Sequence, residues 1–351
     1  MINFIAIPFL GLFEVDSSHY RIHLNMPHEW KNADRNAKGG IKRVSKPLNY
    51  VASEASPVSE SAETRVTWRD FLTLAKPGIL RSNLFVTLAG FWLASRWNID
   101  WLNLLFTLAG TMLIVGASGV FNNYLDREMD TKMERTKNRA LPTGKIAPSV
   151  VLTYGIVLGV LGLTILFAFC GVLTGICGAI GMFAYVVLYT MWLKRTSTWS
   201  TSLGGISGAM PPVIGYVAVT NTIDMGAVLL FLWMFLWQPP HFWALGIRRV
   251  EEYRAAGFPI LPVVKGIRRT QWQMLPYIVL LLPVPILMYA YGYVGMIFTV
   301  ASIAITVLWL FFAVKGLAKG QDPDAWGKKV FMYSIYYMMV TFLLMIIDTA
   351  H

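Results

Sequence analysis

Two aspartates and an asparagine recur at four-residue intervals in the stretch NNYLDREMD, namely Asn122, Asp126 and Asp130. Residues four apart drift only about 40° around an α-helix, so the three side chains are predicted to share one helix face. Carboxylate and amide oxygens suit a hard cation, and Mg²⁺ typically takes one or two carboxylates together with substrate phosphate oxygens. The spacing therefore predicts a metal site, with all three residues as ligands and catalytic groups, that is better suited to a metal-bound diphosphate than to a bare ion.

Basic residues follow this acidic face closely. Arg135, Lys137 and Arg139 come within the next turns, and Lys194 and Arg195 begin a later polar turn. Cationic side chains beside a metal-bound diphosphate hold phosphate oxygens and stabilise a departing pyrophosphate. An acidic face with basic residues close to it indicates phosphoryl-group binding more strongly than an isolated pair of carboxylates does.

Simpler interpretations exist for both groups of charges. The carboxylates could form a solvated helix face, paired with Arg127 or Lys132. Lys194 and Arg195 could serve only to orient the neighbouring apolar segments in a membrane. The glycines that follow them allow either close helix packing or room for a ligand.

A single histidine, His241, lies within an apolar stretch, in WQPPHFW. Ionisable groups are costly in a bilayer, so a functional role is expected, although a lone histidine can also be a satisfied buried polar group. Imidazole can ligate a haem iron or act as a base. About three turns later, Glu251 and Glu252 predict a second acidic site that could hold a second metal.

The elements that carry these residues are membrane helices. The chain has 351 residues, of which 56% are hydrophobic and only 14% charged, against about 25% charged in an average soluble domain. Apolar stretches of about 18 residues or more span bilayers, and they must be helical because lipid offers the backbone no hydrogen bonds. The predicted fold is an all-α polytopic membrane protein of about nine transmembrane helices. The predicted spans are 80–96, 101–121, 148–168, 172–192, 202–220, 225–245, 273–291, 296–314 and 330–348.

The positive charge alternates between the loops. Of the 30 Lys and Arg residues, only Arg96 falls in an odd-numbered loop, and the others lie in the N-terminal tail or in even-numbered loops. The positive-inside rule then predicts a cytoplasmic N-terminus and an outside C-terminus. Since the net charge of +11 is accounted for by these loops, we expect the lipid bilayer, and no nucleic acid, as a partner.

The N-terminal residues differ from the rest of the chain. Residues 1–65 are polar and include the stretch SEASPVSESAET, which predicts a flexible cytoplasmic tail ahead of a membrane domain over 66–351. Met26 is an alternative start. The cysteines Cys170 and Cys177 lie in apolar sequence and are expected to be small buried hydrophobic residues.

Four stretches in fixed order give the chain a family resemblance, which covers about residues 68 to 348. NNYLDREMD resembles the NxxxDxxxD motif of the UbiA-type intramembrane prenyltransferases. The chain is similar in particular to the bacterial branch of that family that makes heme O from protoheme, through the further stretches ERTKNRALPTG, YTMWLKRTSTWSTSLGGISGAMPPVIGY and WQPPHFWALGIRRVEEYRAAGFPILPVV.

The resemblance implies a nine-helix bundle around a central cavity in a bacterial cell membrane. It implies farnesyl diphosphate as donor, protoheme IX (heme b) as acceptor and Mg²⁺ as cofactor. The implied products are heme O, for terminal oxidases, and diphosphate. Haem A synthase and oxidase assembly proteins are further expected partners.

By motif, Asn122, Asp126 and Asp130 carry over as the metal–diphosphate site. The resemblance implies contacts with the substrates for a further set of residues, with Lys194 also catalytic: Arg135, Arg139, Lys194, Arg195, His241, Glu251, Glu252 and Tyr253. Where the family pattern has Asp-Asp-Tyr, this chain has Glu-Glu-Tyr, which changes the reach of the carboxylates at the second acidic site.

Three alternatives remain open from the sequence. A prenyltransferase of the same fold could use a quinone precursor or chlorophyllide as acceptor. A transporter also places ionisable groups in helices, although its coupling residues usually lie near the midplane of the membrane. A haem chaperone would bind haem and release no pyrophosphate.

Overall fold

The computed structural model describes residues 65–350, so the predicted tail of residues 1–65 lies outside the described residues except for Arg65. The described part is helical, with one isolated antiparallel bridge between Val294 and Thr349. The helices are α1 (Trp68–Leu74), α2 (Pro77–Ser95), α3 (Trp101–Asp130), α4 (Pro148–Phe169), α5 (Val172–Thr196), α6 (Ser200–Thr220), α7 (Met225–Arg248), α8 (Val250–Ala255), α9 (Leu261–Val264), α10 (Ile267–Ala290), α11 (Met296–Lys315) and α12 (Pro323–Ile347).

Within residues 65–350, 8 helices are long and apolar enough to cross a membrane: α3, α4, α5, α6, α7, α10, α11 and α12. The chain is thus a multi-pass membrane protein. The remaining long helix, α2, has 19 residues and corresponds to the predicted span 80–96. Its first turns carry Arg81 and Asn83, which make it less apolar than the others. The prediction of an all-α fold with about nine long helices is confirmed.

The helices begin at residues that satisfy free backbone N–H groups or need none. Asp100 begins α3 by accepting hydrogen bonds from the backbone N–H groups of Leu102 and Asn103, each at 3.0 Å. Asp224 and Asp322 cap α7 and α12 in the same way. Proline stands in the first turn of α2, α4 and α12, where the missing N–H is not required. These local signals place the helix starts.

The bundle is held together by close contacts between α2, α6 and α7. A Cβ at Gly90 of α2 would overlap the backbone carbonyl of Pro212 in α6, and a Cβ at Gly215 of α6 would overlap the carbonyl of Thr87. The glycines therefore let α2 and α6 approach backbone to backbone. Helix α7 lies at the centre, because it packs against α6, α10 and α12.

Several helices differ from the predicted spans: α10 begins at Ile267, before the predicted residue 273, and α12 begins at Pro323, before the predicted residue 330. Helix α3 runs to Asp130, well beyond the predicted end at residue 121, because its last polar side chains are buried against other elements and do not enter a loop. In α5, residues Ala184–Leu193 form a π-helix, and the Thr190 hydroxyl donates to the Tyr185 carbonyl at 2.8 Å. The wider turns bring Tyr185, Tyr189 and Lys194 towards the same region of the protein.

Candidate active site

The four-residue spacing of the acidic motif places a buried polar face at the end of α3. Asn122, Asp126 and Asp130 are each 0% exposed. The Asn122 amide Nδ2 donates to Asp126 Oδ2 at 2.8 Å. A solvated helix face, the simpler interpretation of these residues, does not describe this arrangement.

Each member of the acidic face contacts a basic side chain from a different element. The Lys76 ammonium, just before α2, donates to Asn122 Oδ1. The Lys194 ammonium, near the end of α5, forms an ion pair with Asp126 Oδ2. Arg139, in the loop after α3, donates to Asp130 Oδ2 at 2.7 Å. Three separate parts of the chain thus bring positive charge to one patch.

One oxygen of each carboxylate remains available. Asp126 Oδ1 and Asp130 Oδ1 are buried and accept no hydrogen bond from any residue of the described chain. Buried carboxylate oxygens normally have a partner, so these two are candidates for ligands that come from outside the protein. No cluster of three or more His, Cys, Asp or Glu side chains able to hold a metal ion occurs within residues 65–350. A cation here would need additional oxygens, such as those of a phosphate group.

A cavity adjoins this patch inside the bundle. Helix α3 lines it with Ser118 and Gly119, one turn before Asn122, and Lys76 lines it from the start of α2. The rest of the wall is mostly apolar and aromatic and comes from α2, α5, α6, α7 and α12, with smaller contributions from α8 and α9. The polar patch and the apolar cavity are therefore neighbours, which suits a ligand with a charged head and an oily chain.

Lys76 is a residue that the sequence analysis missed. The backbone of Lys76 is left-handed, with φ of 56° and ψ of 69°, a conformation that is uncommon for a lysine. This conformation turns the chain into α2. Burial lowers the pKa of the Lys76 ammonium well below its usual range, and the positive charge of Arg139 lowers it further. The negative charge of a bound anion would oppose this shift and favour the ammonium form. The sequence signal available was a lysine directly before the proline that opens the first long helix.

Tyrosines of the π-helical part of α5 form one wall of the cavity. Tyr185 and Tyr189 both line it, with ring centroids 5.3 Å apart. The Tyr189 ring occupies the space that a Cβ at Gly204 would need, so this glycine serves close packing. Aromatic faces near the acidic patch can stabilise a carbocation by cation–π interaction.

His241 of α7 is buried, at 5% exposure, and lines the same cavity. Its Nδ1 lies 2.6 Å from the Ser334 hydroxyl of α12. Gln238, one turn earlier, also lines the cavity and donates to the Gly205 carbonyl at 3.0 Å. His241 is thus a buried, hydrogen-bonded side chain that also borders the cavity.

The predicted second acidic site is arranged differently from the first. Glu251 and Glu252 of α8 have exposed side chains, which pair with Arg254 of the same helix and with Arg249 just before it. Tyr253, between them, is buried and lines the cavity. Burial raises the pKa of its phenol to about 12, so the hydroxyl remains a neutral hydrogen-bonding group. The structure brings Tyr253 to the cavity and leaves the two carboxylates outside its wall.

The remaining predicted arginines lie around the patch. Arg195 donates to the Leu125 carbonyl at 3.3 Å, one residue from Asp126. Arg135 is half-buried and within electrostatic range of Asp130, Arg139 and Tyr253. Burial lowers the pKa of Arg135, although an arginine keeps its charge in proteins. The basic residues thus surround the acidic face.

Comparison with known proteins agrees with this geometry. Residues 83–335 match the model of the UbiA prenyltransferase family. Protoheme IX farnesyltransferase 1 of Bacillus subtilis is 44% identical over 310 residues, covering 84% of this chain and 96% of that protein. A protoheme IX farnesyltransferase of Acinetobacter baumannii is 44% identical over 275 residues, covering 78% of this chain and 93% of that protein.

Solved structures share the fold at low identity. A digeranylgeranylglyceryl phosphate synthase superposes with a TM-score of 0.68 at 20% identity, over 80% of this chain and 97% of that chain. A UbiA homologue from Archaeoglobus fulgidus, bound to GPP and Mg²⁺, superposes with a TM-score of 0.59 at 15% identity, over 79% and 99%. With a family match over most of its length and relatives of this similarity, the chain belongs to the UbiA prenyltransferase family.

Proposed function

We propose that this protein transfers the farnesyl group of farnesyl diphosphate to a vinyl group of protoheme IX, giving heme O and diphosphate. The observation that supports it is the pair of available carboxylate oxygens, on Asp126 and Asp130, beside basic side chains at one end of an apolar cavity. The names of the relatives that share 44% identity supply the donor and the acceptor.

The donor set fits Mg²⁺ as the cofactor. Two free carboxylate oxygens and the nearby Asn122 amide oxygen are hard ligands, and too few to complete an octahedron without phosphate oxygens or water. When bound, Mg²⁺ supplies Lewis-acid polarisation and neutralises negative charge on the diphosphate. Asn122, Asp126 and Asp130 would hold it.

The residues of the chain then account for the transfer. Lys76, Lys194 and Arg139 provide positive charge where the diphosphate leaves, which stabilises the electron pair that departs with the bridging oxygen. The allylic C1 becomes cationic next to the tyrosine rings of α5, and the vinyl carbon bonds to it. Water adds to the resulting cation and loses a proton, giving a hydroxyethylfarnesyl haem. The dry apolar wall protects the cation before the bond forms.

The site is proposed to face the cytoplasm. Lys194 and Arg139, from two of the even-numbered loops, contact the acidic patch. At the opposite end of the bundle, Arg96 donates to the Gly292 carbonyl and Trp97 donates to the Thr349 carbonyl. Together with the charge distribution, this arrangement supports a cytoplasmic N-terminus and an outside C-terminus. Reporter fusions at the two termini test the orientation, and equal activity of a cytoplasm-specific reporter at both ends would contradict it.

The function is tested with purified full-length protein in nanodiscs, heme b, farnesyl diphosphate and Mg²⁺. We expect heme O by mass and one pyrophosphate per product, with both lost when the metal is chelated. Asp126→Asn should lower kcat by about 10²-fold or more. Glu128→Gln is the matched control, because Glu128 lies on the same turns of α3 with 82% of its side chain exposed.

Other outcomes distinguish the alternatives. Undiminished heme O formation by Asp126→Asn would remove that carboxylate from the mechanism. Pyrophosphate release with a quinone precursor or chlorophyllide, and not with heme b, would assign another acceptor. Haem binding without any pyrophosphate release would indicate a chaperone, and substrate movement across a sealed membrane without chemistry would indicate a transporter.

A further inference from the structure

The imidazole of His241 is held in a fixed plane by two aromatic rings. The Trp237 ring stacks on it at a centroid distance of 4.6 Å and an angle of 22°. Phe331 of α12 stacks at 4.7 Å and 29°. Because the rings pack against the imidazole from α7 and α12, the side chain has little freedom to rotate. Only the edges of the imidazole remain for polar contacts.

One of these edges belongs to a hydrogen-bond chain that determines the tautomer. The Ser334 hydroxyl donates its only proton to the Phe331 carbonyl at 2.6 Å. With the hydroxyl proton directed to that carbonyl, the oxygen accepts a hydrogen bond from His241 Nδ1, which lies 2.6 Å away. The proton of the neutral imidazole is then on Nδ1. Nε2 carries a lone pair and no proton.

The same serine fixes the neighbouring ring. The Trp237 indole N–H donates to the Ser334 backbone carbonyl at 2.8 Å. Ser334 thus contacts two residues of α7 that lie one turn apart, through its hydroxyl and through its backbone. The imidazole and the ring stacked on it are held as a unit.

Nε2 of His241 has no hydrogen-bond partner among residues 65–350, although the side chain is 95% withdrawn from solvent and lines the cavity. An imidazole nitrogen that borders a cavity and has no protein partner is open to a ligand. A histidine that binds a metal commonly donates its other ring N–H to a protein oxygen, which fixes the ring and its tautomer. The Ser334 contact has this form.

We infer that Nε2 of His241 is an axial ligand to the iron of a haem-type acceptor, and so positions the macrocycle in the cavity. This inference rests on the proposed function, because the iron belongs to the acceptor of the proposed reaction. Holding the iron fixes the centre of the ring, so that a peripheral vinyl group can approach the farnesyl C1. The ligand would be an iron porphyrin, and a porphyrin without metal would lack the contact.

The binding test uses purified full-length protein and ferric heme b, without farnesyl diphosphate. Wild type should show the absorption and resonance Raman features of imidazole-ligated iron. His241→Ala should lose those features and bind heme b more weakly, on the order of tenfold or more. Added imidazole should restore them. Metal-free protoporphyrin IX should bind wild type and His241→Ala alike.

A matched pair of serine variants separates ligation from a structural role. After reduction to the ferrous form, Ser334→Ala should show a shifted iron–histidine stretching frequency, and it should bind heme b more weakly, because the tautomer is no longer fixed. Ser302→Ala is the control, since Ser302 is also buried in a long helix and its hydroxyl makes no hydrogen bond with any described residue. It should leave the spectrum unchanged.

The outcomes for the inference and for the proposed function are distinct. An unchanged haem spectrum in folded His241→Ala would overturn the inference, whatever its turnover. Loss of binding to both heme b and protoporphyrin IX would also overturn it, because it would show damage to the cavity. An imidazole-ligated spectrum without heme O formation under full assay conditions would support the ligand assignment and refute the proposed transfer.

Discussion

Lys194 and Asp126 form an ion pair in which both side chains are fully withdrawn from solvent. They lie 68 residues apart in the sequence, on α5 and α3. Asp126 Oδ2 also accepts a hydrogen bond from Asn122, so one oxygen is committed and the other is free. The pair therefore links two helices at the point where the proposed metal would bind.

Replacing Lys194 by methionine should destabilise the protein strongly. The Asp126 carboxylate would remain buried without its cationic partner, and breaking a buried pair in this way costs about 3–5 kcal/mol. We expect a lower midpoint of thermal unfolding in detergent and little heme O formation. The assay is a melting curve followed by product analysis of the surviving folded protein.

The double variant Lys194→Met with Asp126→Leu is the control for this prediction. Replacing both charges by apolar groups removes the unpaired carboxylate, so the midpoint should return towards that of wild type. Activity should stay absent, since a metal ligand is gone. A single variant as stable as wild type would contradict the assignment of the pair as a structural contact.

Lys76→Met should weaken the binding of the prenyl diphosphate. The lysine lines the cavity and contacts the amide oxygen of a proposed metal ligand. A charge-assisted hydrogen bond to a phosphate oxygen contributes about 1.5–3 kcal/mol, which is tenfold or more in KM. Steady-state kinetics with varied farnesyl diphosphate measure this effect.

Affinity for heme b should not change in Lys76→Met, because the proposed contact is with the diphosphate. Lys132→Met is the comparison variant, since Lys132 is exposed in the loop after α3. An equal rise in KM for both variants would mean that general positive charge at this end of the bundle, and not the position of Lys76, determines diphosphate binding.

The first acidic motif was accessible from sequence because its information is local. Four-residue spacing predicts a shared face wherever the segment is helical, and Asn122, Asp126 and Asp130 lie together at the end of α3. The membrane fold was accessible for a similar reason, because apolar length and loop charge are properties of single segments. The roles of the individual site residues remain predictions.

Other features depend on contacts between distant segments. Lys76 reaches Asn122 across 46 residues through a left-handed turn that no pattern around it predicts. In the Glu-Glu-Tyr stretch, the charges predicted that Glu251 and Glu252 form the site. The orientation of α8 instead buries Tyr253. That orientation follows from the break at Arg249 between α7 and α8, which depends on packing.

Gly90→Ala should destabilise the bundle, because the added methyl would overlap the Pro212 carbonyl, a backbone atom that cannot move aside alone. Overpacking of this kind costs about 1–3 kcal/mol. Gly116→Ala is the control, since its Cβ would lie 3.7 Å from the nearest atom, in ordinary contact. Thermal unfolding should show a lower midpoint for Gly90→Ala alone. Equal midpoints for the two variants would contradict close packing of α2 on α6.

The short helix α1 is held by an ion pair that depends on pH. Asp70 pairs with Lys145 at 2.8 Å and accepts a hydrogen bond from the Thr67 backbone N–H at 2.8 Å. The Lys145 contact, followed by those of Thr67, lowers the pKa of Asp70 to about 2. Because this pKa lies below the unfolded value near 3.9, the stabilisation is complete above about pH 4 and is lost as the pH falls through about 2.

Asp70→Asn should therefore speed hydrogen exchange in α1 relative to wild type at pH 6, and the ratio of the two rates should approach one near pH 2. Comparing rates at the same pH removes the intrinsic pH dependence of exchange. Glu134→Gln is the control, because Glu134 pairs with Lys137 on the surface, where its side chain is 82% exposed, away from α1. A ratio that stays constant from pH 6 to pH 2 would show that the Asp70 charge does not hold α1 against the loop after α3.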